Sequence, residues 1–191
     1  MTYISSSLKF YDNKIVVEDS GSNYNNVEVM MSWEDSIMSS SAAYVTENGG
    51  DILEIGFGMG MSANYIQSHS ISSHTIVENH PQMIPKAVTW ANGKSNVTII
   101  SQSIEDCVDN LGTFDGIFYD TFGDSEFYDV MSGSLDNLKK DSGTKITFFH
   151  GSHNDSELYH WENVQYKTIN VSPDDNNYYS SNVYYMPKLE L

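Results

Sequence analysis

The chain has 191 residues, 39% hydrophobic and 13% aromatic, a composition that excludes a disordered chain and suits a single domain with a full core. Its net charge of −17, with nine basic residues that are all lysine, opposes binding to phosphate backbones and favours a basic partner through long-range steering. No apolar run reaches the roughly 18–20 residues of a membrane helix, and no charged-then-apolar leader opens the chain. A cytoplasmic protein is expected, with neither nucleic acid nor membrane as partner. The lone Cys107 allows no internal disulfide, and no metal site is indicated. Without arginine there is no bidentate guanidinium fork for a carboxylate or phosphate.

In chain order, residues 3–10 and 14–17 read as short extended segments, and residues 19–23 as a turn by composition. Residues 27–31 are apolar and lead into a helix whose inner side carries Ile37, Ala42, Ala43 and Val45, ended by Asn48-Gly49-Gly50. Residues 1–50 are too short for an independent domain and are expected to pack as a lid on a core of residues 51–191. From Asp51, strands at 51–55, 74–78, 96–101, 114–119 and 144–149 alternate with helices at about 60–69, 81–92, 104–111 and 125–138. Such alternation predicts βαβ units and a parallel sheet. The Tyr- and Val-rich residues 164–171 and 182–186 read as a hairpin at the sheet edge, with 171–182 as its loop. The expected fold is therefore α/β, doubly wound, with a mostly parallel seven-stranded sheet.

The pattern Glu54-x-Gly56-x-Gly58-x-Gly60 closes the first of these strands. Glycines between a buried strand and a helix permit a tight turn and a close approach of ligand to backbone. The dinucleotide fingerprint needs its third glycine where Met61 stands, so that cofactor class does not fit. Glu78 ends the next strand, at roughly the 20-residue spacing that lets a carboxylate accept both hydroxyls of a ribose. The plainer reading of Glu78 is a solvated charge. Asp120, ending the fourth strand, falls on the same rim, although a strand-end Asp can also be a simple helix cap.

Three stretches together resemble one family. Met30-Met31-Ser32-Trp33-Glu34 through Met38, Gly56-Phe57-Gly58-Met59 and Phe114-Asp115-Gly116-Ile117-Phe118-Tyr119-Asp120-Thr121 are similar to segments of the guanidino-directed class I methyltransferases. These are guanidinoacetate N-methyltransferase and the related type IV protein arginine methyltransferases. The resemblance implies a Rossmann-like fold and S-adenosyl-L-methionine as cofactor. It implies cofactor contacts from Met38, Glu54, Gly56, Phe57, Gly58, Met59, Gly60, Glu78, Asn79, Ser103, Ile104 and Asp120. Relatives carry Trp where this chain has Ile104, which implies a weaker hold on the adenine. The substrate would meet Trp33, Glu34, Asp120 and the carbonyls of Gly151 and Ser152, and His150 stands where relatives have Asn.

A guanidinium is a permanently charged planar fork of N–H donors that carboxylates match. The resemblance gives Glu34 and Asp120 the grip on it, and Asp120 the proton lost on methylation. Arginine in a protein or peptide is the expected acceptor, because a free guanidinoacetate carboxylate would need a cation and only Lys9 or Lys14 offers one. Guanidinoacetate or another small guanidino compound remains the alternative, as does a non-catalytic binder of the cofactor.

Overall fold

The computed structural model describes residues 3–18, 25–122, 125–151 and 164–191. The predicted turn at 19–23 and the predicted site residue Ser152 lie outside them. Strands β1 (Leu8–Phe10), β2 (Lys14–Val17) and β3 (Glu28–Met31) form a three-stranded antiparallel sheet. A 3₁₀ turn, Tyr3–Ser5, precedes it, closed by the Ser6 hydroxyl donating to the Tyr3 carbonyl at 2.7 Å. Of the extended segment expected at 3–10, residues 8–10 form a strand and residues 3–5 are a turn. A second 3₁₀ turn, Ser32–Glu34, leads into α1 (Asp35–Val45).

The main sheet holds β4 (Asp51–Ile55), β5 (Ser73–Val77), β6 (Val97–Ile100), β7 (Gly116–Tyr119), β8 (Lys145–Phe148), β9 (Gln165–Asn170) and β10 (Val183–Glu190), in the order β6-β5-β4-β7-β8-β10-β9. The first five are parallel, and β10 runs antiparallel to both β8 and β9. Helices α2 (Met61–Gln67), α3 (Ile84–Ala91), α4 (Ile104–Cys107) and α5 (Ser125–Leu138) supply the crossovers. This is the doubly wound, mostly parallel seven-stranded sheet that the alternation predicts. Because β5 and β7 flank β4 on opposite sides, the winding reverses there. Ligands of open α/β sheets bind at such a switch point, beyond the carboxyl ends of the strands.

Apolar side chains cover both faces. Leu53, Ile55, Ile117 and Phe148 pack with Cys107, Met131 and Leu138 on one side. Ile52 and Phe118 pack with Ile37, Met38 and Ala42 of α1 and with Tyr184 and Met186 of β10 on the other. Leu8, Ile15 and Val17 of the small sheet join Phe57, Ile76 and Met83, and the Leu8 N–H donates to Gln82 Oε1 at 2.7 Å. Side chains of the small sheet and of α1 are therefore part of the core.

Some predicted bounds move. Residues 81–83 form a turn held by His80, whose carbonyl accepts the N–H groups of Met83 and Ile84. Helix α3 starts at Ile84, with Pro85 rather than Pro81 in its first turn, where the missing proline N–H costs nothing. The helix expected at 104–111 tightens after Cys107 into a 3₁₀ turn, Val108–Asn110. Strand β10 runs on through Pro187, whose carbonyl accepts the Thr147 hydroxyl at 2.6 Å, so the hairpin is longer than 182–186.

Candidate active site

The glycine turn lies where three strand ends meet. The N–H of Gly56 donates to Val77 O and that of Asp120 to Ile55 O, both at 2.8 Å. Gly56 takes a φ of +90°, and a Cβ there would sit 1.9 Å from the Asp120 carbonyl oxygen. Gly58, at φ +50°, would place a Cβ 2.3 Å from Met30 Sδ, and that sulfur accepts the Met59 N–H at 3.1 Å. Only glycine satisfies both the left-handed backbone and the close approach.

Around this turn opens a cleft at the carboxyl ends of the strands. Gly56, Gly58, Glu78, Asn79, Ile104 and Asp120 all line it. The structure thus brings half of the predicted cofactor residues to one rim. Glu78 is buried and fixed: Oε2 accepts the Phe57 N–H at 3.0 Å and Oε1 the His80 N–H at 2.8 Å. Burial pushes its carboxyl up against the pull of these N–H groups. The Asn79 N–H adds a third backbone donor, which still leaves the carboxylate acceptor capacity that a hydroxyl can use. Thr121 Oγ1, also on the cleft wall, is buried without a hydrogen-bond partner among the described residues. A glycine cradle, a fixed acidic acceptor, an aliphatic face at Ile104 and an unsatisfied hydroxyl fit a nucleoside-bearing ligand.

Other predicted cofactor residues sit behind this surface. The Glu54 carboxylate is fully buried: it accepts the Ser62 hydroxyl and lies 2.8 Å from His74 Nε2, so it braces the turn from beneath. Phe57 packs under Gly60 and tilts against Trp90 at 5.7 Å, and Met59 packs partly buried against the core. Met38 is fully buried among the apolar residues of α1. Ser103 Oγ donates to Asp106 at 2.8 Å. These five, with Gly60, are not among the cleft-lining residues, because their side chains or Cα positions serve packing and turn closure.

Tyr3 and Met30, not among the site residues expected from the sequence, also line the cleft. Tyr3 stacks on Phe122 with centroids 4.6 Å apart, and has its phenol pushed up by burial and by the Glu78 charge. It shares the 3₁₀ turn that closes the start of the chain over this end of the site.

Glu34 occupies the third place of its 3₁₀ turn and folds back so that Oε1 accepts the Met31 N–H at 2.7 Å. That alone would be half of a capping box. Two facts go beyond capping. Glu34 is 3% exposed, and Oε1 also accepts the Tyr178 hydroxyl at 2.5 Å. Burial pushes the carboxyl up from 4.5 to about 7, against the opposing pull of these two donors. Burial first, and then the charges of Glu34 and Asp120, raise the phenols of Tyr178 and Tyr184, so both carboxylates act on the same aromatic pair, although Glu34 is not among the residues lining the cleft. Trp33 packs on that wall, 5.8 Å from Tyr178 and 5.5 Å from Tyr179 between centroids, with its buried Nε1 unpartnered among the described residues. Gly151 follows β8, the strand beside the one that ends in Asp120. His150 is 2% exposed, with Nε2 on the Tyr185 carbonyl at 2.6 Å and its ring on Tyr184 at 5.2 Å. That is a packing role.

A family model described as guanidinoacetate N-methyltransferase matches residues 17–143, well over half of the chain. The chain belongs to this family. Protein arginine N-methyltransferase 2 of Kluyveromyces lactis is 35% identical over 166 residues, covering 78% of this chain and 38% of that protein. The Saccharomyces cerevisiae protein of the same name is 29% identical, over 98% of this chain and 52% of its own length. The chain spans about a third to a half of the length of the curated relatives it matches. Among solved structures, spermidine synthase of Thermotoga maritima shares the fold, with a TM-score of 0.60 at 14% identity, over 96% of this chain and 72% of that one. No described helix is long and apolar enough to cross a membrane.

Proposed function

We propose that this member of a methyltransferase family is an S-adenosyl-L-methionine-dependent N-methyltransferase acting on the guanidino group of arginine in a protein or peptide. The observation that carries the reading is a second carboxylate, Glu34, buried against the Tyr178 hydroxyl, while Asp120 lines the cleft at the glycine turn. Two carboxylates that act on one aromatic pair suit a planar cation that offers N–H groups on more than one edge.

Gly56, Gly58, Glu78, Asn79 and Ile104 would hold the cofactor. When bound, it supplies an electrophilic methyl group on a sulfonium. Glu34 and Asp120 orient one guanidino nitrogen toward that methyl, and alignment in a displacement supplies much of the rate. Asp120, at the β7 end beside the glycine turn, takes the proton that the nitrogen loses. Trp33 and Tyr178 wall the cation from water, which strengthens its attraction to both carboxylates.

A substrate bearing its own carboxylate suits the cleft less well. None of the nine lysines lines it, and the two candidates are engaged elsewhere, Lys9 with Glu18 at 3.2 Å and Lys14 with Glu28 at 3.4 Å. Arginine within a chain carries no such carboxylate, and the acidic surface favours the approach of a basic protein. The names of the yeast relatives point the same way. The test is incubation with methyl-labelled cofactor and an arginine-bearing basic peptide, then fragmentation mass spectrometry. The label is expected on the arginine side chain; label on no guanidino acceptor would overturn the proposal.

A further inference from the structure

Glu34 does not hold itself in place. Its Oε1 accepts both the Met31 N–H and the Tyr178 hydroxyl, which uses both lone pairs of that oxygen. No donor to Oε2 is found among the described residues. We propose that Tyr178, in the loop between β9 and β10, is a positioning residue for the guanidinium: it locks Glu34 so that Oε2 alone receives the cation. The proposal rests on the function proposed above. It makes the contact at Glu34 a one-oxygen contact, and so leaves the other edges of the guanidinium for Asp120.

The loop is built to present this phenol. Asn176 Oδ1 accepts the N–H groups of Tyr178 and Tyr179 at 2.9 and 2.7 Å, and its Nδ2 donates to the carbonyls of Asp174 and Tyr179. Asn177 ties the loop to β3 through Glu28 Oε2, by its N–H at 3.2 Å and its Nδ2 at 3.1 Å. Trp33 tilts against the Tyr178 ring at 5.8 Å between centroids, and Phe149 meets it edge-on at 6.5 Å. Burial and the charges of Glu34, Asp120 and Glu28 keep the phenol protonated, so it remains a donor. The other titratable groups near Glu34 are Tyr184 on β10, raised by the same two carboxylates, and Asp35, whose carboxylate accepts the Tyr65 hydroxyl. Neither replaces the Tyr178 hydrogen bond.

The test compares wild type with Tyr178→Phe, which keeps the ring and removes the donor, and with Tyr179→Phe, which loses a hydroxyl bound to the Val183 carbonyl. Two readouts are taken: carbon-13 NMR titration of the Glu34 carboxyl, and initial rates on an arginine peptide across pH. Tyr178→Phe is expected to lift the Glu34 midpoint above that of the wild type, since the Tyr178 hydrogen bond holds it down. The peptide KM near neutrality should rise about tenfold, the scale of a lost charge-assisted hydrogen bond. At high pH and saturating peptide, kcat should return toward wild type, and Tyr179→Phe should leave the titration in place. An unmoved midpoint and KM in Tyr178→Phe would overturn the proposal. A lifted midpoint in a protein whose wild type methylates no guanidino acceptor would overturn the proposed function and the substrate role of Tyr178 together, while leaving its hold on Glu34 established.

Discussion

Glu34→Gln should make the protein more stable and less active, and the size of the gain should depend on pH. The Glu34 carboxyl rises from 4.5 to about 7 on folding, so the native state keeps a proton that the unfolded chain has already released. The stability contributed by protonated Glu34 is complete below 4.5 and is lost as pH rises toward 7. Above that, burying the charge costs roughly 3 kcal/mol. Glutamine retains an oxygen for the Met31 N–H and the Tyr178 hydroxyl, but its new amide donors need partners, which reduces the expected gain to about 2 kcal/mol. A domain of this size moves by about 2–4 °C per kcal/mol, so thermal unfolding at about pH 8 should shift upward by about 4–8 °C. At about pH 4 the two proteins should unfold together. Methyl transfer should fall by about a hundredfold or more, since the amide N–H groups meet the guanidinium donors head-on. Equal stability at about pH 8, or an equal gain at about pH 4, would refute the argument that burial holds this carboxyl up.

Asp120→Asn should lower kcat by about a hundredfold or more through loss of the proton acceptor, while cofactor affinity measured by calorimetry stays within a few-fold of wild type. Gly56→Ala should abolish cofactor binding and destabilise the fold by about 2 kcal/mol or more, read by urea denaturation, because its Cβ meets the Asp120 carbonyl at 1.9 Å. Glu54→Ala should cost about 3–5 kcal/mol in the same assay, the scale for removing one member of a buried pair, since His74 is fully buried beside it. A loss below about 1 kcal/mol would mean that Glu54 does not brace the turn.

The rim of the site was legible because strand-end chemistry is local. Gly56, Gly58, Glu78 and Asp120 each follow a short apolar run, and a parallel sheet brings the ends of such runs together whatever the intervening loops do. Burial depth was not legible. Glu54 and Met38 belong to the same motifs as the lining residues, yet strand and helix periodicity turns them inward, to Ser62 and His74 in one case and to the α1 core in the other. The three strands of the small sheet run only three or four residues each, too few for alternation to declare a face. Tyr178 meets Glu34 across 144 positions, and nothing in the spacing of a Tyr-rich tail marks one tyrosine among several. The available hint was the turn chemistry of Asp174 to Asn177, which predicts that whatever follows is held in a fixed direction.

The most direct test of the account offers three acceptors in parallel with labelled S-adenosyl-L-methionine: guanidinoacetate, free arginine and an arginine-bearing basic protein, with a lysine-for-arginine version of that protein beside it. Label is expected in the arginine-bearing protein, none in its lysine counterpart, and little in guanidinoacetate. Label confined to guanidinoacetate would contradict the assignment of the acceptor. No label in any guanidino compound, from a protein that binds the cofactor, would contradict the role of Glu34 and Asp120 as a guanidinium grip.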